Sequence, residues 1–293
     1  MRTIFFSTIC LILSCIITGC SDPTKADGKA QEPSSGSQMS VFVTIPPQKS
    51  IVQAIAGKYV SINIMVPPGG DPHDYQLAPK QLLELCKAKA YFQIGMPFEK
   101  TLVDKFQKMD IKIKFIDMIK NTKPLIGYTN GKTTIDPHIW LSTIQLKILS
   151  YNTLQALINL MPNRKTYFTN NYNMYINKLN EVNSELKILL KPFKGETFFV
   201  FHPAFGYFAA DFGLKQEAVE IEGKAPSPKE LFHLISKARN KGAKVIFVEP
   251  QFSEKSAQAL AEAINGKVVS INPLAEDILD NFIYIAKKLK HSF

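Results

Sequence analysis

The chain has 293 residues, with 35 Lys and Arg against 25 Asp and Glu, a net charge of +10. Such a surplus raises nucleic acid as a partner, yet the lysines are scattered and no basic stripe interleaves with aromatics, so that class is set aside. The positive charge suits an anionic membrane surface instead.

In chain order, residues 1–19 carry Arg2 and then an apolar run from Ile4 to Ile17. That pattern predicts a secretory signal peptide, too short and wrongly flanked for a stable transmembrane helix. Its end, "ITGC", is similar to the bacterial lipobox, where cleavage just before the cysteine leaves Cys20 to carry a lipid anchor. The alternative is an ordinary leader with an incidental Cys20. Acyl chains add about 0.8 kcal/mol per buried CH2, so several together hold a protein on a membrane. Residues 20–38 are then the lipidated cysteine and a tether, since 21–38 have no large apolar side chain with which to fold. The expected address is a membrane-anchored lipoprotein facing the periplasm or the exterior of a bacterium. Cys86 is the one internal cysteine left in the mature chain, so no intramolecular disulfide is expected. It lies in the helical pattern "PKQLLELCKAKA", which predicts a core position.

From Met39, short apolar runs alternate with helical patterns. Strands are predicted at 41–45, 60–66, 90–95 and 113–118, with helices at 48–57 and 78–89 between them. After residue 195 the alternation resumes, with strands at 197–202, 217–221, 244–250 and 267–273 and helices at 228–241, 254–265 and 276–290. Buried β-branched strands alternating with helices predict mainly parallel sheets flanked by helices. The expectation is an α/β protein of two lobes, 39–162 and 193–293, without a sequence repeat between them. Joining them, residues 163–192 place Phe168, Tyr172, Tyr175, Leu179, Val182, Leu186 and Leu189 on one helical stripe, bounded by Pro162 and Pro192. Such a helix is roughly 40 Å long and permits small tilts rather than wide opening. The stripe could also serve a coiled-coil dimer, but about three heptads favour packing on the chain's own lobes, as a monomer.

Two of the five histidines share the frame Asp-Pro-His, in "GGDPHDYQ" (His73) and "TIDPHIW" (His138). Asp-Pro stiffens each loop. A third, His202 in "FFVFHPAFGYF", stands at the carboxyl end of a predicted strand beside a proline. Ligands of open α/β sheets bind outside those strand ends. Three neutral imidazoles suit a borderline-soft divalent ion, Zn2+ above all, whereas hard ions call for carboxylates. His233, within a helical pattern, and His291, near the C-terminus, read as structural or solvated.

"PPGGDPHDYQLAP", "DPHIWLS", "FHPAFGYFAADFGL", "EGKAPSPKEL", "VEPQFSEKSAQALAEAI" and "INPLAEDILDN" together resemble, in order and over nearly the whole mature chain, the zinc-binding solute-binding lipoproteins of metal-importing ABC transporters. The resemblance implies His73, His138 and His202 as metal ligands. It also implies a permease with its ATPase as partner, and Zn2+ rather than Mn2+ as cargo, since manganese-preferring relatives have glutamate in place of His202. Two departures stand out. The family's aspartate before "PL" is Asn272 here, leaving the fourth position to water or to a displaced carboxylate such as Glu222, Glu249 or Asp277. The region "NTKPLIGYTNGKTT" also lacks the histidines and acids of the metal-collecting loop that many zinc members carry.

Three histidines and a water are also the makings of a zinc hydrolase. No HExxH helix is present, however, and no carboxylate follows a ligand at helical spacing. A surface adhesin would use the same anchor but gives no reason for three proline-flanked histidines. The expected function is capture of one Zn2+ between the lobes and delivery to a membrane permease. Affinity is expected near nanomolar, about 12 kcal/mol, and is expected to fade as pH falls through about 6.5.

Overall fold

A computed structural model describes residues 38–109, 111–129, 132–220, 227–252 and 254–293. The expected leader, the lipidated Cys20 and Glu222 lie outside the described residues.

The first sheet contains β1 (Met39–Val43), β2 (Val60–Ile64), β3 (Ala90–Gln93) and β4 (Lys114–Asp117), all parallel, in the order β2-β1-β3-β4. Helices α1 (Pro46–Ala56), α2 (Pro79–Lys87) and α3 (Pro97–Lys108) follow its strands. Each opens on proline, whose missing N–H costs nothing at a helix start. None has a capping side chain at the residue before it. The third helical residue does the capping instead: Gln48 accepts from Thr44 N and Ile45 N, Gln81 from Ala78 N, and Glu99 from the backbone of Ile94, Gly95 and Met96. Glu99 is almost fully buried, and burial raises its pKa above the usual carboxylate range against those hydrogen bonds.

A hairpin follows, β5 (Ile126–Thr129) paired antiparallel with β6 (Lys132–Ile135). It falls where the sequence reads as an undecorated loop. The Asn130-Gly131 dipeptide between the strands is the strongest short hairpin signal and was there to be read. Then come α4 (Thr143–Leu160) and the long α5 (Lys165–Leu190).

The second sheet holds β7 (Thr197–Val200), β8 (Lys215–Ala218), β9 (Val245–Val248) and β10 (Lys267–Ser270), again all parallel, ordered β10-β9-β7-β8. Numbered within its own lobe, each sheet reads 2-1-3-4, so the two halves share a topology that no sequence repeat reveals. Helices α6 (Gly206–Phe212), α7 (Pro228–Asn240), α8 (Glu254–Ala263) and α9 (Ile278–Lys290) accompany it. The two lobes with parallel sheets and one long connecting helix are the architecture expected from the sequence.

The long helix α5 packs against α1 and α4 on one side and α9 on the other. Its buried face is Phe168, Tyr175, Leu179, Val182, Leu186 and Leu190, with Tyr172 and Leu189 half-buried. The stripe ends on Leu190 rather than Leu189 because a 3.6-residue turn drifts from a strict heptad. Cys86 corrects an expectation: it is exposed, and Leu85 takes the buried position of α2, with Ala88 buried just beyond its end. One residue along a helix is a rotation of about 100°, enough to turn a neighbour of a core position out to solvent.

Several strands stop short of their apolar runs. The segment 197–202 leaves the sheet after Val200, and 244–250 leaves it after Val248. β8 sits earlier than expected, at Lys215–Ala218, because its register begins with Lys215 opposite Thr197. The residues freed beyond these strand ends build the site.

Candidate metal centre

In both Asp-Pro-His segments the aspartate closes a turn onto the histidine's own backbone. Asp71 Oδ1 accepts from His73 N at 2.8 Å, and Asp136 Oδ1 accepts from His138 N at 2.9 Å. Proline between them has no N–H to compete and fixes its own φ, so this tripeptide holds a histidine on a rigid loop. Asn272 repeats the device, its Oδ1 accepting from Leu274 N at 2.9 Å. A third Asx-Pro turn therefore presents a leucine rather than a ligand.

His202 lies two residues beyond β7, and Glu249 follows β9 directly. Those adjacent strands flank the point where the strand order reverses, the usual crevice for a ligand in a doubly wound sheet. Glu249 Oε2 accepts from His202 N at 3.2 Å, and Phe252 stacks on the His202 ring with centroids 4.8 Å apart.

The three rings converge. Their centroids lie 5.0 Å apart in all three pairs. His138 Nε2 stands 3.1 Å from His73 Nε2 and 3.0 Å from His202 Nε2. Among the described residues these three form the group whose ligand atoms all lie within 4.8 Å of one another. The cavity they share with Trp140, Phe252 and Leu274 measures about 20 Å3. That is room for one ion or water and none for an organic substrate.

Tautomers decide what the short contacts mean. His138 Nδ1 is 2.8 Å from Asp136 Oδ1, and His202 Nδ1 is 2.6 Å from Glu220 Oε1. A carboxylate accepts, so each Nδ1 carries the proton and each Nε2 points a bare lone pair inward. Two lone pairs 3.0 Å apart are not a hydrogen bond. A cation between them removes the repulsion. For a tetrahedral ion with bonds of 2.0–2.1 Å, neighbouring nitrogens sit about 3.3 Å apart, close to what is seen. Carboxylates on the far nitrogen are the usual orienting partners of ligand histidines.

Burial lowers the His73 pKa to about 4, helped by the neighbouring His138 and His202. Burial also lowers that of His138, against the opposing pull of Asp136. At these two rings proton competition therefore moves below the ordinary imidazole value.

The other candidates do not join the group. Asn272 Oδ1 is taken by Leu274 N and, at 3.3 Å, by Gln251 Nε2. Asp277 caps α9, accepting from Asp280 N at 3.2 Å. Glu249 is fully buried; its Oε1 has no partner among the described residues, and burial pushes its pKa up to about 8. It supports the His202 backbone and does not reach the shared cavity. Sequence reading passed over Asp136 and Glu220. The first was legible as the aspartate two residues before a candidate ligand. Glu220 was not, because its meeting with His202 depends on β7–β8 register.

Three convergent histidine rings in a fold of two parallel-sheet lobes make a candidate metal centre in a two-lobed α/β protein. The family model described as zinc-uptake complex component A, periplasmic, matches residues 41–290. The high-affinity zinc uptake system protein ZnuA of Bacillus subtilis is 26% identical over 287 residues, spanning 92% of this chain and 88% of that protein. A crystal structure of ZnuA is 35% identical with a TM-score of 0.83, covering 87% of this chain and 99% of that one. The Zn(II)-bound ZnuA-like domain of Streptococcus pneumoniae AdcA is 25% identical with a TM-score of 0.73, over 87% of this chain and 99% of that one. This chain belongs to the zinc-uptake complex component A family, solute-binding proteins of metal transporters and not enzymes.

Proposed function

We propose that this protein captures one Zn2+ outside the cytoplasm, on Nε2 of His73, His138 and His202, and delivers it to an ABC-type permease for uptake. The observation that carries this reading is the pair of inward lone pairs on His138 and His202, held 3.0 Å apart by two carboxylates, half-buried Asp136 and buried Glu220. A cation placed between them turns that repulsion into coordination. Neutral nitrogen donors favour zinc over manganese, which prefers carboxylate oxygen. Water fills the fourth position, because Leu274 stands where another turn would offer a ligand.

A hydrolase would need room for its substrate and a free base. The cavity is about 20 Å3, and Asp136 and Glu220 are both committed to ligand histidines.

The proposed layout is a leader (1–19), an acylated Cys20 with its tether (20–38), lobes at 39–162 and 193–293, and a connecting helix at 163–192. The anchored chain works as a monomer. Release follows when the permease tilts the lobes apart. Zinc titration of metal-stripped protein against a competing chelator tests the core of the reading. Nanomolar binding of one ion is expected, with a change in emission from Trp140, the single tryptophan, whose ring lies 5.4 Å from His138. Affinity unchanged in two of His73→Ala, His138→Ala and His202→Ala rules the site out. For the anchor, Cys20→Ser is expected to move the protein from the membrane to the soluble fraction of cells.

A further inference from the structure

We propose that Gly206 is a positioning residue for metal capture: having no side chain, it lets the second lobe seat the Asp136 carboxylate against His138. The inference rests on the zinc-binding reading of the three histidines and adds a residue that touches none of them.

Gly206 is the first residue of α6, in the second lobe, and Asp136 belongs to the loop after β6, in the first. A Cβ built on Gly206 would stand 2.5 Å from Asp136 Oδ2 and 3.0 Å from Leu125 Cδ2. The other oxygen of that carboxylate, Oδ1, accepts from both His138 N and His138 Nδ1. One small side chain therefore meets the second lobe with one oxygen and sets a ligand with the other.

The backbone on both sides of this contact is pinned. Tyr207, next in α6, accepts from Leu125 N at 2.8 Å and donates to Asp136 O at 3.1 Å. Asp136 N in turn donates to Leu125 O at 3.0 Å, closing the base of the hairpin. At the other end of α6, Asp211 accepts from Ser142 Oγ and Thr143 Oγ1 at the start of α4. With helix and loop backbone both pinned, the easy response to a methyl at position 206 is rotation of the carboxylate. That rotation carries Oδ1 off His138. The steric cost is small, because Oδ2 is the far end of a side chain; the loss falls on the orientation of the ligand. Gly206 thus leaves the Asp136 carboxylate room to keep its contact with His138 while the second lobe packs against the loop.

The test combines a double-mutant cycle with a readout on metal-free protein. Zinc affinity is measured by chelator competition for the wild type, Gly206→Ala, Asp136→Ala and the double variant. The His138 tautomer is read from its ring 15N shifts without metal at neutral pH. Gly206→Ala is expected to weaken zinc about tenfold, as loss of a ligand's orienting partner does. In the Asp136→Ala background the same change is expected to matter less than about twofold, since nothing is left to displace. Thermal stability should hold, alanine being the better helix residue, while His138 loses its uniform Nδ1–H state. Additive effects in the cycle, or an unchanged His138 tautomer in Gly206→Ala, overturn the proposal. Should Gly206→Ala fail to fold, adding Leu125→Ala removes the 3.0 Å contact with Cδ2 and leaves the clash with the carboxylate, and an unchanged tautomer there overturns the proposal equally. A wild type that holds no zinc defeats the functional reading instead, and the tautomer measurement still decides the role of Gly206.

Discussion

The two Asp-Pro-His loops share a tripeptide and a turn, yet their aspartates do different work. Asp136 Oδ1 serves both the backbone and the ring of His138, whereas Asp71 Oδ1 serves the backbone of His73. His138 is buried and His73 is half-buried. His138 and His202 are thus oriented by carboxylates from opposite lobes, and the His73 ring has no such partner among the described residues. Identical local sequence sets the loop, and the surroundings set the ligand. A histidine whose far nitrogen meets a carboxylate loses its orientational freedom on folding, before metal arrives. One without that partner loses it on binding.

The sharpest way to break this comparison is to remove the rings one at a time. His138→Ala and His202→Ala are each expected to weaken zinc on the order of a thousandfold, about 4 kcal/mol. His73→Ala is expected to cost less, because its ring gives up more freedom in binding. Isothermal or chelator-competition titration reads all three, and a His73→Ala loss equal to or above the other two removes the distinction.

Removing the aspartates instead tests the cause. Asp136→Ala takes away the partner of the His138 ring and should weaken zinc about 10- to 100-fold. Asp71→Ala takes away one backbone contact of the same turn and should weaken it only a few-fold. Equal effects would mean that the turn, and not the ring contact, is what matters.

Acid acts on the first of these loops through charge. In the metal-free fold the His73 pKa is lowered to about 4 by burial and by its histidine neighbours, against 6.5 when unfolded. Between those values the unfolded chain takes up a proton that the folded chain does not. Metal-free stability should therefore fall as pH drops from 6.5 towards 4, by roughly a kcal/mol or two. Glu249 works in the opposite direction, with a pKa raised to about 8 from 4.5. Its contribution is present below 4.5 and lost as pH rises through 8. Thermal melts of metal-free protein across this range should show the acid slope reduced in His73→Ala and the alkaline slope reduced in Glu249→Gln. If His73→Ala leaves the acid slope intact, His73 does not sit in the desolvated position described.

Much of this was legible before any coordinates. Strand-helix alternation carried the two parallel sheets, and the Phe168-to-Leu186 stripe carried the connecting helix, since both depend on local periodicity. The three histidines could be picked out because proline and a strand end flank each one. Glu220 could not, because its contact with His202 is set by pairing between β7 and β8. Nor could the burial of Leu85 in place of Cys86, where neighbouring positions of one helix differ only in which way the turn faces. The role of Gly206 was hidden for the same reason as Glu220, since it exists only once two lobes meet.

The smallest expected effect sits at the third Asx-Pro turn. Asn272 stands where the family usually has aspartate, and a restored carboxylate would be expected to complete the zinc coordination if position 272 were a ligand position here. The turn argues otherwise. Asn272 Oδ1 holds Leu274 N at 2.9 Å and receives Gln251 Nε2, while its backbone carbonyl accepts from Asn281 Nδ2 at 2.7 Å. Pro273 O next to it accepts the Trp140 indole N–H at 2.8 Å. An aspartate in the same turn would keep its first oxygen on Leu274 N, as Asp71 keeps its own on His73 N. That same oxygen receives Gln251 Nε2, so the contacts that set the turn do not depend on the amide nitrogen that the substitution replaces. Asn272→Asp is therefore expected to change zinc affinity by less than about threefold, near 0.6 kcal/mol. Tightening of tenfold or more in a chelator competition would show that the turn yields to the ion, and that the fourth corner belongs to position 272 and not to water.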